Sequence, residues 1–405
     1  MARDKNIDLE IGKLEGEMTG ALMNLVSIPA VSPISVGGDE KRKAGFVERI
    51  CRETGFDEVL HYDAPSPSGP RPNIVARLKG KDARAGRLWV ITHLDVVPAG
   101  AQNLWQGDPF KPELKNGRIY GRGAEDNGQD LIACLFAVKA LKKLGLMPER
   151  EICAAVVTDE ETLSVYGMKY LISRGLFKKG DFFLVPDGGS PDGSLIEFAE
   201  KSLLWLRVDT VGRQSHASMP DKGINAMEAA SAFISRLGEV RKKFGKRDRR
   251  FQTPASSFEP TRRLENVGNI NTIPGTDTFF IDCRILPCYP VSGVLSYLDR
   301  LKKRVEKERK VKITIKVVQQ EEATVTDPKN HLIQDMAKLV RDVLKVRPKT
   351  RGVGWGTCAS FVRQAGYPAV VWSKVDGTAH QPNEYASVRN LLDDAVLFAH
   401  AFLEL

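Results

Sequence analysis

The chain is short of cysteine and of histidine, and it has no long apolar run. Its six cysteines (Cys51, Cys134, Cys153, Cys283, Cys288 and Cys358) are scattered over 405 residues, with no Cys-x-x-Cys pair. This pattern speaks against a thiolate zinc site and predicts reduced, buried thiols. The most apolar window, Leu131 to Leu141, is too short to span a bilayer and contains Lys139. The opening residues, Met1-Ala-Arg-Asp-Lys-Asn-Ile-Asp8, are charged and offer no apolar signal region. A cytoplasmic protein without a membrane partner is the expectation.

What is present is ordinary for a globular protein, with 42% hydrophobic and 27% charged residues. The length suggests two domains rather than one core. Net charge is +9, and it is unevenly spread. Residues 201–322 carry 24 lysines and arginines against 14 aspartates and glutamates, which leaves the remainder near neutral. That asymmetry marks 201–322 as a separate unit, with 1–200 and 323–405 forming the other.

Ile11, Leu14, Met18, Leu22 and Leu25 are spaced for one helix face, and Phe46, Val47, Ile50 and Cys51 for another. Strands are predicted at Asn73–Leu78, Leu88–Thr92, Ile152–Thr158 and Phe182–Pro186. Helices are predicted from about Asp130 to Leu144 and over Val165–Arg174. Further on come a helix at His331–Leu344, a strand at Ala369–Ser373 and a closing helix from about Val388. Apolar strands alternating with helices predict an α/β domain with a mixed, mostly parallel sheet. Between these parts, strands at Leu203–Val211, Ser256–Asn266, Thr278–Leu286 and Val311–Val318 alternate with two helical stripes. One stripe is Met227, Ala230, Ile234, Leu237 and Val240; the other is Leu295, Leu298, Leu301 and Val305. That order is βαββαβ, the ferredoxin-like pattern, inserted into the larger domain.

The chemistry-bearing residues fall at strand ends or in adjoining loops: His93-Leu-Asp95, Asp126, Glu160-Glu161, Asp187 and Gly377-Thr-Ala-His380-Gln-Pro-Asn-Glu384. Residues two apart on a strand face the same side, so His93 and Asp95 can act together, the aspartate holding the ring of a ligating histidine. So many carboxylates at neighbouring strand ends repel one another unless positive charge lies between them. Two divalent ions would supply it. A set of two histidines and three carboxylates, one of them bridging, suits zinc or its first-row neighbours.

With these motifs in hand, the sequence resembles the di-zinc aminoacylase and carboxypeptidase family, which includes acetylornithine deacetylase, succinyl-diaminopimelate desuccinylase and several dipeptidases. The matching stretches are Thr92-His-Leu-Asp-Val-Val-Pro98, Gly121-Arg-Gly-Ala-Glu-Asp126, Thr158-Asp-Glu-Glu161, Asp187, Gly212-Arg-Gln-Ser-His216-Ala-Ser, Asn271-Thr-Ile-Pro274 and His380-Gln-Pro-Asn-Glu384. The resemblance implies a catalytic domain of the di-zinc exopeptidase type, with the insert as lid and dimerisation domain. It implies that His93 and Asp187 bind one metal, that Glu161 and His380 bind the other, and that Asp126 bridges them. Zinc is the expected ion, with cobalt or manganese as alternatives. Asp95 would orient His93, and Glu160 would be the general base. His216 would support the oxyanion from the partner of a homodimer. Asn271, Arg284, Gly356 and Thr357 would hold the substrate's carboxylate. The peptide bond after Asp126 is expected to be cis. The substrate would be a small N-acyl amino acid or a short peptide. Gly-Trp355-Gly-Thr-Cys358 departs from the family's usual Gly-Gly-Thr-Asp. Aspartate at 187, where deacylases more often carry glutamate, is commoner in the dipeptidase and aminopeptidase branch, whereas the compact length and uninterrupted lid look like the acetylornithine deacetylase and desuccinylase branch.

Rival readings of the chain are weaker. Arg241–Arg250 and Lys302–Lys310 are basic enough for nucleic acid but poor in aromatics for stacking bases, so solvated helix faces account for them better. For Arg284 itself, an ion pair with Asp282 is the plain structural alternative. Gly121-Arg-Gly123 lacks the third glycine of a dinucleotide loop, where Asp126 stands instead. A catalytically dead scaffold would not keep Glu160 and every ligand.

Overall fold

A computed structural model describes residues 4–32, 39–82 and 84–405, so Met1–Arg3 of the charged opening stretch lie outside it. The chain forms two compact units. The first comprises Met1–Phe198, Thr326–Thr350 and Thr357–Leu405; the second comprises Ala199–Val325 and Arg351–Gly356.

In the first unit the sheet runs in the order Glu58–His61, Ile74–Leu78, Glu151–Val157, Arg87–His93, Phe182–Val185, Ala369–Val371, Leu195–Glu200. The middle four strands are parallel, and antiparallel pairings flank them on both sides. Helices cover these strands, which explains their unbroken apolar runs: every residue of Arg87–His93 after the first is buried. Behind the sheet centre, Trp89 packs edge-on against Phe177 and parallel to Phe183. Asp181 accepts from Trp89 Nε1 at 2.9 Å, so that indole keeps a partner in the core.

Register is what positions the chemistry. His93 pairs with Val157, which brings two parallel strands to the same edge together. The ligand-bearing turns after His93, Val157 and Val185 therefore emerge side by side, where open α/β sheets usually bind ligands.

The first helical stripe is buried throughout but divides at Leu14 into Lys5–Lys13 and Glu15–Val26. Leu14 donates to Ile11 O in a tightened turn there. The helix expected over 165–174 is shorter, Met168–Ser173, because Asp159 takes the Tyr166 N–H and Ser164 Oγ takes that of Met168.

The second unit orders its strands as Ser257–Arg263, Thr276–Ile285, Ser202–Val211 and Lys312–Glu321, all antiparallel. Helices Ala226–Ser235, Leu237–Lys243 and Val291–Arg309 supply its core with Phe233, Leu237, Val294 and Leu298, so the ferredoxin-like βαββαβ pattern is present. Met227, expected in the buried stripe, is exposed instead. Asn225 caps this helix, and the buried face runs through Ala226, Ala229, Ala230 and Phe233. Cys288 is likewise exposed, unlike the other five cysteines. Among the described residues no helix is long and apolar enough to cross a membrane.

Candidate active site

His93 closes its strand with its ring buried, and Nδ1 lies 2.9 Å from the backbone carbonyl of Asp95. A carbonyl only accepts, so the proton sits on Nδ1 and the Nε2 lone pair faces the site. The expected hold of the Asp95 carboxylate on the ring is corrected here, since its nearest oxygen stands 3.8 Å from Nδ1. Both Asp95 oxygens are otherwise engaged. They accept the backbone N–H groups of Glu160 at 3.0 Å and Glu161 at 3.2 Å. Asp95 thus fixes the ring through its main chain and the glutamate turn through its side chain.

Asp126 stands in the turn between Gly123 and the helix Asp130–Leu144, and the Asp126–Asn127 bond is cis as expected. Gly123 has φ +81°, and a Cβ there would stand 2.4 Å from Val96 Cγ1. Glycine in Gly121-Arg-Gly123 thus serves a tight turn packed on Val96. Asn127 Nδ2 donates to the carbonyl of Pro186, joining this turn to the one that carries Asp187.

The two Asp126 oxygens face different histidines. Oδ1 lies 2.9 Å from His93 Nε2, and Oδ2 lies 3.0 Å from His380 Nε2. Asp187 Oδ1 stands 3.6 Å from His93 Nε2, and Glu161 Oε2 stands 3.2 Å from His380 Nε2. Potential ligand atoms of His93, Asp126 and Glu161 fall within 4.8 Å of one another, as do those of His93, Glu160 and Asp187. A cavity of about 80 Å³ adjoins them, lined in part by Asp126, Asp130, Asp187 and Gly188.

Electrostatics describe an excess of negative charge. Burial pushes the Glu160 carboxyl well above the usual carboxylate range, and Asp187 adds to the effect. Burial and Asp126 push Glu161 up to about 7. Hydrogen bonds to Asp126 and Glu161 raise His380 to about 10. Burial would raise Asp126 too, but the two histidines outweigh it and hold that carboxyl low. Glu161 Oε1 is buried, and among the described residues nothing donates to it. A buried acceptor without a donor, beside converging carboxylates and two imidazole nitrogens, fits cations seated among these groups.

Backbone conformation marks the same turns. Asp159, Leu163 and Ser164 around the glutamate pair, and His380 and Asn383 on the other loop, have left-handed φ between +55° and +110°. Non-glycine residues rarely adopt that region, and such residues cluster at functional sites.

Two carboxylates absent from the sequence-derived roles hold this arrangement. Glu384 accepts the N–H groups of Gly123, Glu125 and Asp126, each at 3.1 Å, and pairs with Arg122. Glu125 accepts from the loop leading to His380. Both glutamates stand within recognised motifs. Their partners, however, are some 250 residues away in sequence, so no local signal pointed to these contacts.

The remaining predicted site residues belong to the second unit, except Thr357. His216, on the second unit, is exposed, and its Nδ1 accepts the Ser218 N–H at 3.1 Å. The ring proton is therefore on Nε2, free to donate. Residue 271 adjoins it, with Asn271 O accepting from Ala217 N. Arg284 is engaged by Asp282, at 2.7 Å from Nε, and by the Gly354 carbonyl at 3.0 Å. Gly356 is exposed at the end of the second unit's last segment, whereas Thr357 is buried and caps the helix Cys358–Gln364 through Oγ1.

A model of peptidase family M20/M25/M40 matches residues 89–404. The chain belongs to that family. An uncharacterized metallohydrolase of Methanococcus maripaludis is 36% identical to this M20 chain over 402 residues, covering 93% of it and 96% of the relative. A succinyl-diaminopimelate desuccinylase of Pelagibacter ubique is 25% identical over 374 residues, covering 91% and 93%. In fold the M20 chain is similar to human carnosine dipeptidase 1, with a TM-score of 0.76 at 20% identity over 99% of both chains. The protein is thus an M20 metallohydrolase, and membership implies divalent metal ions.

Proposed function

We propose that this M20 hydrolase cleaves the amide bond of a small N-acyl amino acid, or of a short peptide, at a pair of divalent cations. The observation that carries the reading is Asp126, whose two oxygens face His93 Nε2 and His380 Nε2 at 2.9 and 3.0 Å. A carboxylate shared by two cations would present its oxygens in this way. His93 and Asp187 would complete one side and Glu161 and His380 the other, with zinc the expected ion and cobalt or manganese the alternatives. Bound there, such a pair would polarise the scissile carbonyl and acidify an attacking water.

The chain's own residues do the rest. Glu160 is held by Asp95 through its backbone and lies near His93 and Asp187. It takes a proton from the attacking water and passes it to the leaving nitrogen, a role that its burial-raised proton affinity suits. His216 of a second copy, with its proton on Nε2, would donate to the oxyanion, making the working form a homodimer built through the second unit. Asn271, Arg284, Gly356 and Thr357 are the candidate holders of the substrate carboxylate. Asp187 keeps a dipeptidase or aminopeptidase reading open beside the deacylase one. A cytoplasmic setting and no nucleic-acid partner complete the proposal.

The test is to strip the purified protein with a chelator, restore Zn²⁺ or Co²⁺, and assay N-acetyl amino acids, N-succinyl amino acids and dipeptides. Activity should vanish and return with the metal. Full activity with fewer than one metal per chain by elemental analysis would sink the two-cation reading.

A further inference from the structure

The loops carrying Asp126 and His380 are laced together by two carboxylates that run in opposite directions. From the His380 side, Glu384 reaches back to the N–H groups of Gly123, Glu125 and Asp126. From the Asp126 side, Glu125 reaches forward. Its Oε1 accepts the N–H of Asp376 at 2.6 Å and of Gly377 at 3.1 Å. Its Oε2 accepts the N–H of Thr378, that of Ala379 at 2.8 Å, and the Thr378 hydroxyl at 3.0 Å. Four N–H groups on four consecutive residues thus end on one buried carboxylate, and the Thr378 hydroxyl shares its one proton between Glu125 and the Tyr385 carbonyl at 2.9 Å. A carboxylate has about four lone-pair sites, so this one is saturated. The next residue after these four is His380, itself in the left-handed region and half exposed. Little else buries that ligand, so its place depends on the loop before it.

We propose that Glu125 is a positioning residue that sets the His380 side of the metal centre. The inference rests on the two-cation reading and adds that the two sides are supported unequally. The first side is built on strand ends: His93 terminates a buried central strand, and Asp187 follows another. The second side depends on a loop whose main-chain N–H groups converge on Glu125. Glu125→Gln keeps size and shape but replaces one acceptor oxygen with an NH₂ that faces backbone donors. The loop should loosen without disturbing the strands.

The measurement is calorimetric titration of chelator-stripped protein with Zn²⁺ alone, together with the thermal midpoint of the metal-free protein. Wild type should show two sites. Glu125→Gln should weaken one of them by about 10- to 100-fold, the usual effect of losing a supporting partner, while the other site keeps its affinity; the metal-free midpoint should fall, because the amide faces N–H groups that the carboxylate accepted. Excess Zn²⁺ should then restore turnover. Both sites unchanged, or both weakened alike, would overturn the assignment while leaving the two-cation reading standing. Fewer than two sites in wild type would overturn that reading and this inference with it. Should Glu125→Gln fail to fold, Glu125→Asp decides the matter, since it keeps the charge but shortens the reach to the loop N–H groups. A smaller weakening confined to one site supports the proposal, and unchanged affinities refute it.

Discussion

Glu160 and Glu161 are neighbours in sequence yet turn to different partners. Glu161 meets His380, whereas Glu160 groups with His93 and Asp187. Glu160→Gln should therefore lose on the order of 10²–10⁴ in turnover while keeping its metal, as expected when a general base is removed. Glu161→Gln should lose metal first. Elemental analysis of both variants checks this, and the opposite pattern would reverse the two roles. Lys43 behaves differently. It is buried, and desolvation lowers its ammonium to about 8 from 10.5, although Asp95 and Glu384 pull the other way. Between those values the unfolded chain holds a proton that the folded chain has released, so stability should rise with pH there. Below pH 8 the charged form costs about 3 kcal/mol. Lys43→Met should thus be the more stable protein at pH 7 and should lose the rise between pH 8 and pH 10.5, as read from urea midpoints. An unchanged pH slope would refute this.

The strand Arg87–His93 shows how far an element can be read before its structure is known. Its large apolar residues, followed by a histidine and an aspartate, announced a buried strand ending in polar chemistry, and the strand does end at His93. The short hairpin Glu113–Lys115 with Arg118–Tyr120, paired to Tyr385–Ser387, was not legible. Three-residue strands leave no period to detect, and one partner lies far along the chain. The role of the Asp95 side chain was hidden for a similar reason. A carboxylate near a histidine reads as its partner, whereas its real partners are N–H groups on a turn 65 residues later. Those two bonds join the end of one strand to the turn after the next, so Asp95→Asn acts on an element rather than on a single ligand. Hydrogen bonds to a charged group are worth about 1.5–3 kcal/mol each, and an amide would turn one donor against another. A loss of roughly 1.5–3 kcal/mol in urea unfolding is expected, from the one bond that the amide cannot accept, with weaker Zn²⁺ binding. Unchanged stability and unchanged metal affinity would mean that the turn stands without Asp95.

At the scale of the whole molecule, the proposed dimer makes a claim that neither single variant can test. His216→Ala and Glu160→Ala should each be nearly inactive. Mixed under conditions where subunits exchange, they should recover up to roughly a quarter of the wild-type rate, because half the dimers are mixed and half of their sites are whole. Verified exchange with no recovery would place His216 in its own chain's chemistry or outside it. The contrast in charge over residues 201–322 was legible. The segment Arg351–Gly356 was not, since nothing in its composition marks it as part of the second unit. Yet Val353 O accepts from Lys201 N, and Gly352 exchanges hydrogen bonds with Arg250 and Gln252 around the ring of Phe251. This return visit bears on how the protein is made. A ribosome delivers residues from the N-terminus onward, and many domains fold as soon as they emerge. Here the insert cannot be finished when residue 325 appears, because it must wait for Gly356. The first unit waits longer still, for the helix Val388–Glu404 that packs on Asp130–Leu144. Each unit is therefore closed by a segment made long after its first strands, and its core stays open to water until that segment arrives.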